Sequence, residues 1–440
     1  MLDCGLFQGR RAEALEKSRR FPIDPARLKA VVLSHAHIDH CGRLPLLVKQ
    51  GFTGPIYATP ATRDLCAIML ADAAHIQEED ARFINRKRAK AGEPPVDPLY
   101  TNDDAQAAIR LFRSVGNRNP FFVTRRLKVT YHEAGHMLGS AQVALEYSPP
   151  AGGAPVRLTF TGDLGRFGVP ILRDPAPTPP CDYLIVESTY GGRRHPPAAD
   201  LPDELAEAVN DTVQRGGKII IPAFSVGRTQ VIVYTLHKLQ SEGRIPAIPI
   251  YVDSPLSVDA TEVFRLHSEL FDKEARAFQA TNGDILGCRS CNYIRETEES
   301  IQLNKRRRPC VIISASGMCE TGRIVHHLRN NIQSPRNTVL IVGFQAAHTL
   351  GRRIVEREPH VSIFGQKLKL RARVVVLNGF SSHADRDELR RLTRPLAKEC
   401  RRAFLVHGEP DQMEAMRDTM RGDGFPAVEM PGQGAAFDLA

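Results

Sequence analysis

The chain has 440 residues, 42% of them hydrophobic and 25% charged, with a formal net charge of +9. That length exceeds one ordinary core and implies two or three domains, and the composition excludes a disordered or fibrous protein. The longest apolar runs, such as Val374-Val375-Val376-Leu377, are far too short to cross a membrane. Arg supplies much of the positive charge, and its planar fork suits phosphate, so the balance favours a polyanionic partner. The N-terminus, Met1-Leu2-Asp3-Cys4-Gly5, lacks the basic-then-apolar pattern of a secretory signal. Nine scattered Cys read as reduced thiols of a cytoplasmic protein. Cys288 and Cys291 have the spacing of half a zinc knuckle, but no second pair completes it.

In chain order, short β-branched runs recur, each followed at once by polar or ionisable residues. Ala30-Val31-Val32-Leu33 leads into Ser34-His35, Leu158-Thr159-Phe160 into Gly162-Asp163, and Tyr183-Leu184-Ile185-Val186 into Glu187. Ile219-Ile220-Ile221 leads into Ser225 and Arg228, and Val311-Ile312-Ile313 into Ser314-Ala315-Ser316-Gly317. Val374-Val375-Val376-Leu377 leads into Ser381, Ser382 and His383, and Phe404-Leu405-Val406 into His407. These runs have the length of buried strands. Between some of them, Thr229 to Ser241 and Arg386 to Lys398 read as amphipathic helices. Pro149-Pro150-Ala151-Gly152-Gly153 reads as a hairpin loop, and the Pro-rich stretches 175–180 and 196–202 flank the strand ending at Glu187 and mark a domain edge. The layout is α/β, with chemistry at the carboxyl ends of strands.

Ser34-His35-Ala36-His37-Ile38-Asp39-His40 sets three His and one Asp within six residues, directly after a strand. In extended backbone, residues two apart face the same way, so His35 and His37 can converge on one ion. Asp39 and His40, at the turn into a helix, can reach a second ion. Imidazole and carboxylate are the ligand set of zinc in an open, catalytic site. Further ligands must come from elsewhere. His136, in Ala134-Gly135-His136-Met137-Leu138-Gly139-Ser140, and Asp163, in Thr161-Gly162-Asp163, stand at matching strand ends.

The order His35-x-His37-x-Asp39-His40, then His136, then Thr161-Gly162-Asp163 resembles the metallo-β-lactamase fold. Glu187 in Val186-Glu187-Ser188-Thr189-Tyr190-Gly191, His383 in Phe380-Ser381-Ser382-His383-Ala384-Asp385 and His407 in Val406-His407-Gly408-Glu409 resemble the three further motifs of the β-CASP nucleases. That family includes the messenger-RNA 3′-end processing endonuclease and its bacterial and archaeal relatives. The resemblance covers essentially the whole chain. It implies an α/β fold: a metallo-β-lactamase αββα sandwich (residues 1–194 and 376–440) with an inserted α/β β-CASP domain (residues 195–375). It implies two Zn2+ per chain, with His35, His37 and His136 on one, Asp39, His40 and His407 on the other, and Asp163 between them. Asp3, in Leu2-Asp3-Cys4-Gly5, would orient a ligand His from behind. Glu187 and His383 would pair beside the metals. The family usually carries a strand hairpin ahead of the Asp3 motif; were Met1 the true start, an edge of the first sheet would be expected to be missing and Asp3 to lie near a fraying terminus.

The implied activity is that of a metal-dependent hydrolase cutting single-stranded RNA. Phosphodiester hydrolysis needs a nucleophile at neutral pH, charge relief at phosphorus and a proton for the leaving oxygen. Two zinc ions, with Asp39 and Asp163 among their ligands, supply the first two. His383 is the expected general acid, and Glu187 would favour its protonated form. The products would carry 5′-phosphate and 3′-hydroxyl ends. The extra C-terminal domain of exo-acting relatives is not found, which favours endonucleolytic cutting. Substrate grip is expected from Ser314, Ser316 and Gly317, from His348, Thr349, Gly351 and Arg352, and from Arg228, each in a strand-to-helix turn. Lys305-Arg306-Arg307-Arg308 reads as a solvated surface run. With no Trp and 6% aromatics, base stacking is confined to a few Phe or Tyr, so sequence preference should be weak. The alternatives are a DNA nuclease of the same superfamily, whose members generally lack a His at the position of His407, or a 5′-exoribonuclease. A small-molecule hydrolase would lack the insertion and the Glu187 and His383 motifs, and a scaffold subunit would have lost metal ligands. A homodimer is the family's expectation, with no membrane association.

Overall fold

A computed structural model of the chain describes all residues except 8, 10, 151, 344, 347 and 440. Ala347, within the Gln345 to Arg353 segment noted above, thus lies outside the described residues, as does Ala151 in the hairpin loop.

The fold begins with three short parallel strands, β1 (Val31–Val32), β2 (Ile56–Ala58) and β3 (Phe112–Ser114). Leu2 extends the β1 edge through a bridge to Val32. A second sheet follows: β4 (Phe121–Thr124), β5 (Leu127–Glu133), β6 (Ala141–Tyr147) and β7 (Val156–Phe160) are antiparallel neighbours, and β8 (Tyr183–Glu187) joins β7 in parallel. The two sheets face each other across a shared core, in which Val32 and Tyr57 of the first meet Val129, Tyr131, Val143 and Phe160 of the second. The long helix Pro60–Lys90 starts behind Thr59, whose hydroxyl accepts from Thr62 N and donates to the Gly139 carbonyl at 2.6 Å. That bond ties the helix start to the β5–β6 loop.

The chain next builds β9 (Ile219–Pro222), β10 (Ile250–Asp253), β11 (Cys291–Ile294), β12 (Val311–Ser314), β13 (Thr338–Ile341), β14 (His360–Ile363), β15 (Gln366–Lys369) and β16 (Arg373–Val376). Six of these form a parallel sheet in the order β11-β10-β12-β9-β13-β16, and β14 and β15 form a separate hairpin. Ile219, Ile220, Ile221, Val311, Ile312 and Ile313 are fully buried, as strands covered on both faces require. Finally β17 (Arg402–Val406) inserts beside β8, and β18 (Val428–Glu429) edges the sheet, giving β18-β17-β8-β7-β6-β5-β4. Two compact units result: Met1–Arg166 with Asp174–Arg194 and His383–Ala440, and Phe167–Arg173 with His195–Ser382. Because β16 is an edge strand of the six-stranded sheet, the chain stays with the second unit until Ser382.

Two sequence expectations need correction. The helix read over 386–398 stops at Thr393 and gives way to a 3-10 turn, Arg394–Leu396, because Pro395 has no N–H to donate and crowds the preceding turn. Cys288 and Cys291 are joined in a disulfide, whereas the other seven Cys are free and buried. Their Cα atoms, 5.1 Å apart across one turn, sit within bridging reach. Among the described residues, no helix is long and apolar enough to cross a membrane.

Candidate metal centre

The candidate ligands of the first unit cluster at strand ends. After β1 the chain runs through Ser34 and His35 to His37, which precedes the single helical turn Ile38–Cys41 bearing Asp39 and His40. The N-terminal segment lies against this turn: Cys4 N and Leu6 N donate to the carbonyls of His40 and Ile38. Only glycine fits between them, since a Cβ on Gly5 would come within 1.5 Å of the Asp39 carbonyl oxygen. His136 lies in the β5–β6 loop, where the Ser140 hydroxyl accepts from His136 N at 3.0 Å and Met137 N at 3.2 Å. Asp163 follows β7, Glu187 ends β8 and His407 follows β17. His383, just ahead of the helix Arg386–Thr393, bridges to Gly165.

The side chains converge in two groups around Asp163. His37 Nδ1 lies 3.1 Å from His35 Nε2 and 3.0 Å from His136 Nε2. Asp163 Oδ2 is 3.4 Å from His35 Nε2 and 3.6 Å from His136 Nε2. The other carboxylate oxygen, Oδ1, is 3.3 Å from His40 Nε2 and 3.5 Å from His407 Nδ1. His407 Nε2 is 3.3 Å from Asp39 Oδ2. Tetrahedral ligands about 2.0–2.1 Å from zinc stand about 3.3 Å from one another, which these spacings match. His40 Nε2 and Asp163 Oδ1 are buried with no hydrogen-bond partner. Each such atom costs about 1–3 kcal/mol unless something satisfies it, and a cation between them would satisfy both. The residues therefore fit metal ions. Burial also holds His35 and His136 below the ordinary imidazole range and lowers His37 to about 3, keeping these rings in the neutral form that binds metal.

A layer of hydrogen bonds aims the rings. Asp3 Oδ2 lies 2.6 Å from His40 Nδ1, and a carboxylate only accepts, so His40 carries a proton there, which leaves Nε2, the nitrogen facing Asp163, as the one that would ligate a metal. The Ser34 hydroxyl donates to Asp3 Oδ2 at 2.6 Å, so it accepts from His35 Nδ1 at 2.9 Å and leaves His35 Nε2 as the lone-pair nitrogen. Thr189 donates to the His407 carbonyl at 3.0 Å and lies 3.0 Å from that ring's Nδ1. Ser34 and Thr189 were missed in the sequence reading. Each lies in a motif next to or near a ligand, and adjacency was the one available signal.

Glu187 is fully buried. Its Oε1 accepts from Leu164 N at 2.7 Å and lies 3.2 Å from His383 Nδ1, and its Oε2 accepts from Thr189 N at 3.2 Å. Burial pushes the His383 imidazole down, but the Glu187 carboxylate outweighs it and lifts the ring above its ordinary value.

The candidate substrate-binding residues occupy loops of the second unit. Arg228 opens the helix Arg228–Ser241 after β9, Ser314 ends β12 with Ser316 and Gly317 in the loop beyond, and Thr349 caps the helix Leu350–Val355. The β12 and β13 loops meet: Gly351 N donates to the Met318 carbonyl at 3.2 Å, and Gln345 Nε2 to the Gly317 carbonyl at 3.0 Å. Several side chains have local tasks. Ser314 donates to the Asp253 carbonyl at 2.8 Å, Thr349 accepts from Arg352 N at 3.1 Å, Arg352 pairs with Glu356 at 2.6 Å, and Arg228 donates to the Val342 carbonyl. His348 is exposed and takes a left-handed backbone, φ +67°.

Comparison with known proteins agrees with this architecture. The Metallo-beta-lactamase superfamily matches residues 1–189, the Beta-Casp domain residues 229–354, and the Zn-dependent metallo-hydrolase RNA specificity domain residues 367–429. The chain is 35% identical over 417 residues to Ribonuclease TTHA0252 of Thermus thermophilus, a match covering 94% of this chain and 89% of that protein. It is 29% identical over 413 residues to the RNase J-like protein of Methanocaldococcus jannaschii, covering 93% and 86%. It is 30% identical over 427 residues to Transcription termination factor FttA of Methanosarcina mazei, covering 93% of this chain but 63% of that longer protein. With its converging His and Asp side chains, the chain is a metal-dependent hydrolase. It belongs to the β-CASP ribonuclease family of the metallo-β-lactamase superfamily.

Proposed function

We propose that the chain hydrolyses phosphodiester bonds of single-stranded RNA, cutting internally with two zinc ions bound and leaving 5′-phosphate and 3′-hydroxyl ends. The observation that carries this reading is the division of Asp163, with Oδ2 toward His35 and His136 and Oδ1 toward His40 and His407. A carboxylate so divided suits two cations. When bound, the zinc ions would supply a nucleophile at neutral pH and charge relief at phosphorus. His35, His37 and His136 would hold one, Asp39, His40 and His407 the other, with Asp3 and Ser34 fixing the ring tautomers.

The protein's own part in the reaction is proton delivery. Glu187 accepts from His383 Nδ1, which leaves Nε2 to donate to the departing 3′ oxygen, and the carboxylate favours the charged, donating ring. The 3′ oxygen leaves as a hydroxyl, and the phosphate stays on the 5′ end of the other product. The loops after β9, β12 and β13 lie at the carboxyl ends of parallel strands, where open α/β sheets bind ligands. RNA is favoured over DNA by the match to an RNA specificity domain and by relatives named as ribonucleases.

Single-stranded RNA labelled at its 5′ end, incubated with the zinc-loaded protein, should yield internal fragments on a denaturing gel, and matched DNA should stay intact. Release of mononucleotides alone would replace internal cutting with exonucleolytic action. Cleavage of DNA and not RNA would overturn the substrate.

A further inference from the structure

We infer that Phe224 is a stacking platform for one base of the bound RNA, an inference that rests on the RNA reading above. Phe224 follows β9 at the carboxyl edge of the six-stranded parallel sheet and is 48% exposed, while its neighbours Ala223 and Val226 are buried. The ring therefore points out of the core that its flanking residues fill. It is nonetheless held in place. Thr229 donates to the Phe224 carbonyl at 2.8 Å, and Ala223 N donates to the Ser314 carbonyl at 3.0 Å, tying this segment to the end of β12. Gly317, in the loop after β12, lies directly against the ring: a Cβ there would stand 3.1 Å from Phe224 Cδ2 and Cε2. A side chain at 317 would push the ring aside, so glycine permits the contact.

The result is an apolar ring, backed by Gly317 and open to solvent, beside the β12 loop expected to grip the substrate. Backbone amides suit the phosphate and a π-face suits the adjoining base, whatever its identity. Phe364 is a useful contrast. It is 56% exposed at the β14–β15 turn, but its ring already packs against His326, with centroids 4.7 Å apart and the planes tilted by 42°.

The test uses the zinc-loaded full chain and short single-stranded RNAs carrying 2-aminopurine, a base whose fluorescence falls on stacking, at each position in turn. Stopped-flow mixing reads the signal before turnover. Quenching is expected at one position, kept in Phe224→Tyr and lost in Phe224→Leu. In Phe224→Leu, KM should rise roughly ten- to hundredfold with kcat little changed, the loss expected for one stacked base. An abasic nucleotide at the quenched position should erase the difference between Phe224→Leu and the unaltered protein, and Phe364→Leu should match the unaltered protein throughout. A Phe224→Leu protein that cleaves RNA with unchanged KM and unchanged quenching overturns the inference alone. An unaltered protein that cleaves no RNA overturns the RNA reading and the inference with it.

Discussion

His383 and Glu187, 196 residues apart in sequence, meet through a 3.2 Å contact between Nδ1 and Oε1. The same carboxylate is pinned by the Leu164 and Thr189 amides, so it presents a fixed acceptor to the imidazole. His383→Ala should lower kcat on RNA by about 10²–10⁴-fold, with zinc content unchanged. Glu187→Gln tests the proton itself. The carboxylate raises the His383 pKa, and a general acid works only while protonated, so activity falls as pH rises through that pKa. Without the charge, the fall should move to lower pH. A kcat profile of Glu187→Gln superimposed on that of the unaltered protein would remove His383 from proton transfer.

Metal content separates the two groups around Asp163. Dialysis against a strong chelator should abolish hydrolysis and lower the Tm, because His40 Nε2 and Asp163 Oδ1 are then left buried without a partner. Elemental analysis should find two zinc ions per chain. Asp163→Asn should lower both occupancies, whereas His35→Ala should spare the group of Asp39, His40 and His407. A content of one zinc in the unaltered protein would defeat the shared-carboxylate reading.

Asp3 accepts from both His40 and Ser34, and so couples two neighbouring residues of the candidate metal centre. Replacing it by Asn removes the charge that holds the His40 proton on Nδ1. Zinc affinity, measured by chelator competition, should weaken about 10–100-fold. An unchanged affinity would show that His40 finds its tautomer without Asp3.

The candidate ligands were legible because they sit in compact strings, Ser34 to His40 above all, at the ends of β-branched runs whose strand character is local. Their partners were less so. Ser34 matters because Gly162 allows the β7 end to approach it, with a would-be Cβ 2.7 Å from Ser34 Cβ, and nothing in either string announces that approach. The helix Pro60–Lys90 went unread, although Ala61, Leu65, Met69 and Leu70 recur at helical spacing on its buried face. The stop at Thr393 was readable from Pro395. Spacing alone could not distinguish thiols from a disulfide at Cys288 and Cys291, since both fit one turn. The candidate RNA contacts were the least legible, because Ser314 and Arg228 look alike in sequence whether they face a ligand or, as here, a carbonyl of their own fold.

The second unit carries a buried charge whose protonation should shape acid stability. Asp253, at the end of β10, is fully buried. Its Oδ1 accepts from Arg323 at 2.7 Å, and its Oδ2 accepts from Ser300 at 2.5 Å and lies 2.6 Å from His327 Nε2. Burial alone would raise the carboxyl's pKa, but these donors outweigh it and hold it below the ordinary value of about 3.9. A pKa depressed by folding adds stability that is fully present above the unfolded value and is lost as pH falls through the folded one. The loss should thus begin as pH drops below about 4 and continue beneath it. Asp253→Asn should cost about 3–5 kcal/mol near neutral pH, because Arg323 and His327 then face a neutral group in the core. It should also flatten the acid limb, since the residue no longer titrates. Urea unfolding of both proteins, followed from neutral pH down to about pH 3, checks this. If the two curves stay parallel throughout the acid range, Asp253 is not the group that the donors hold ionised.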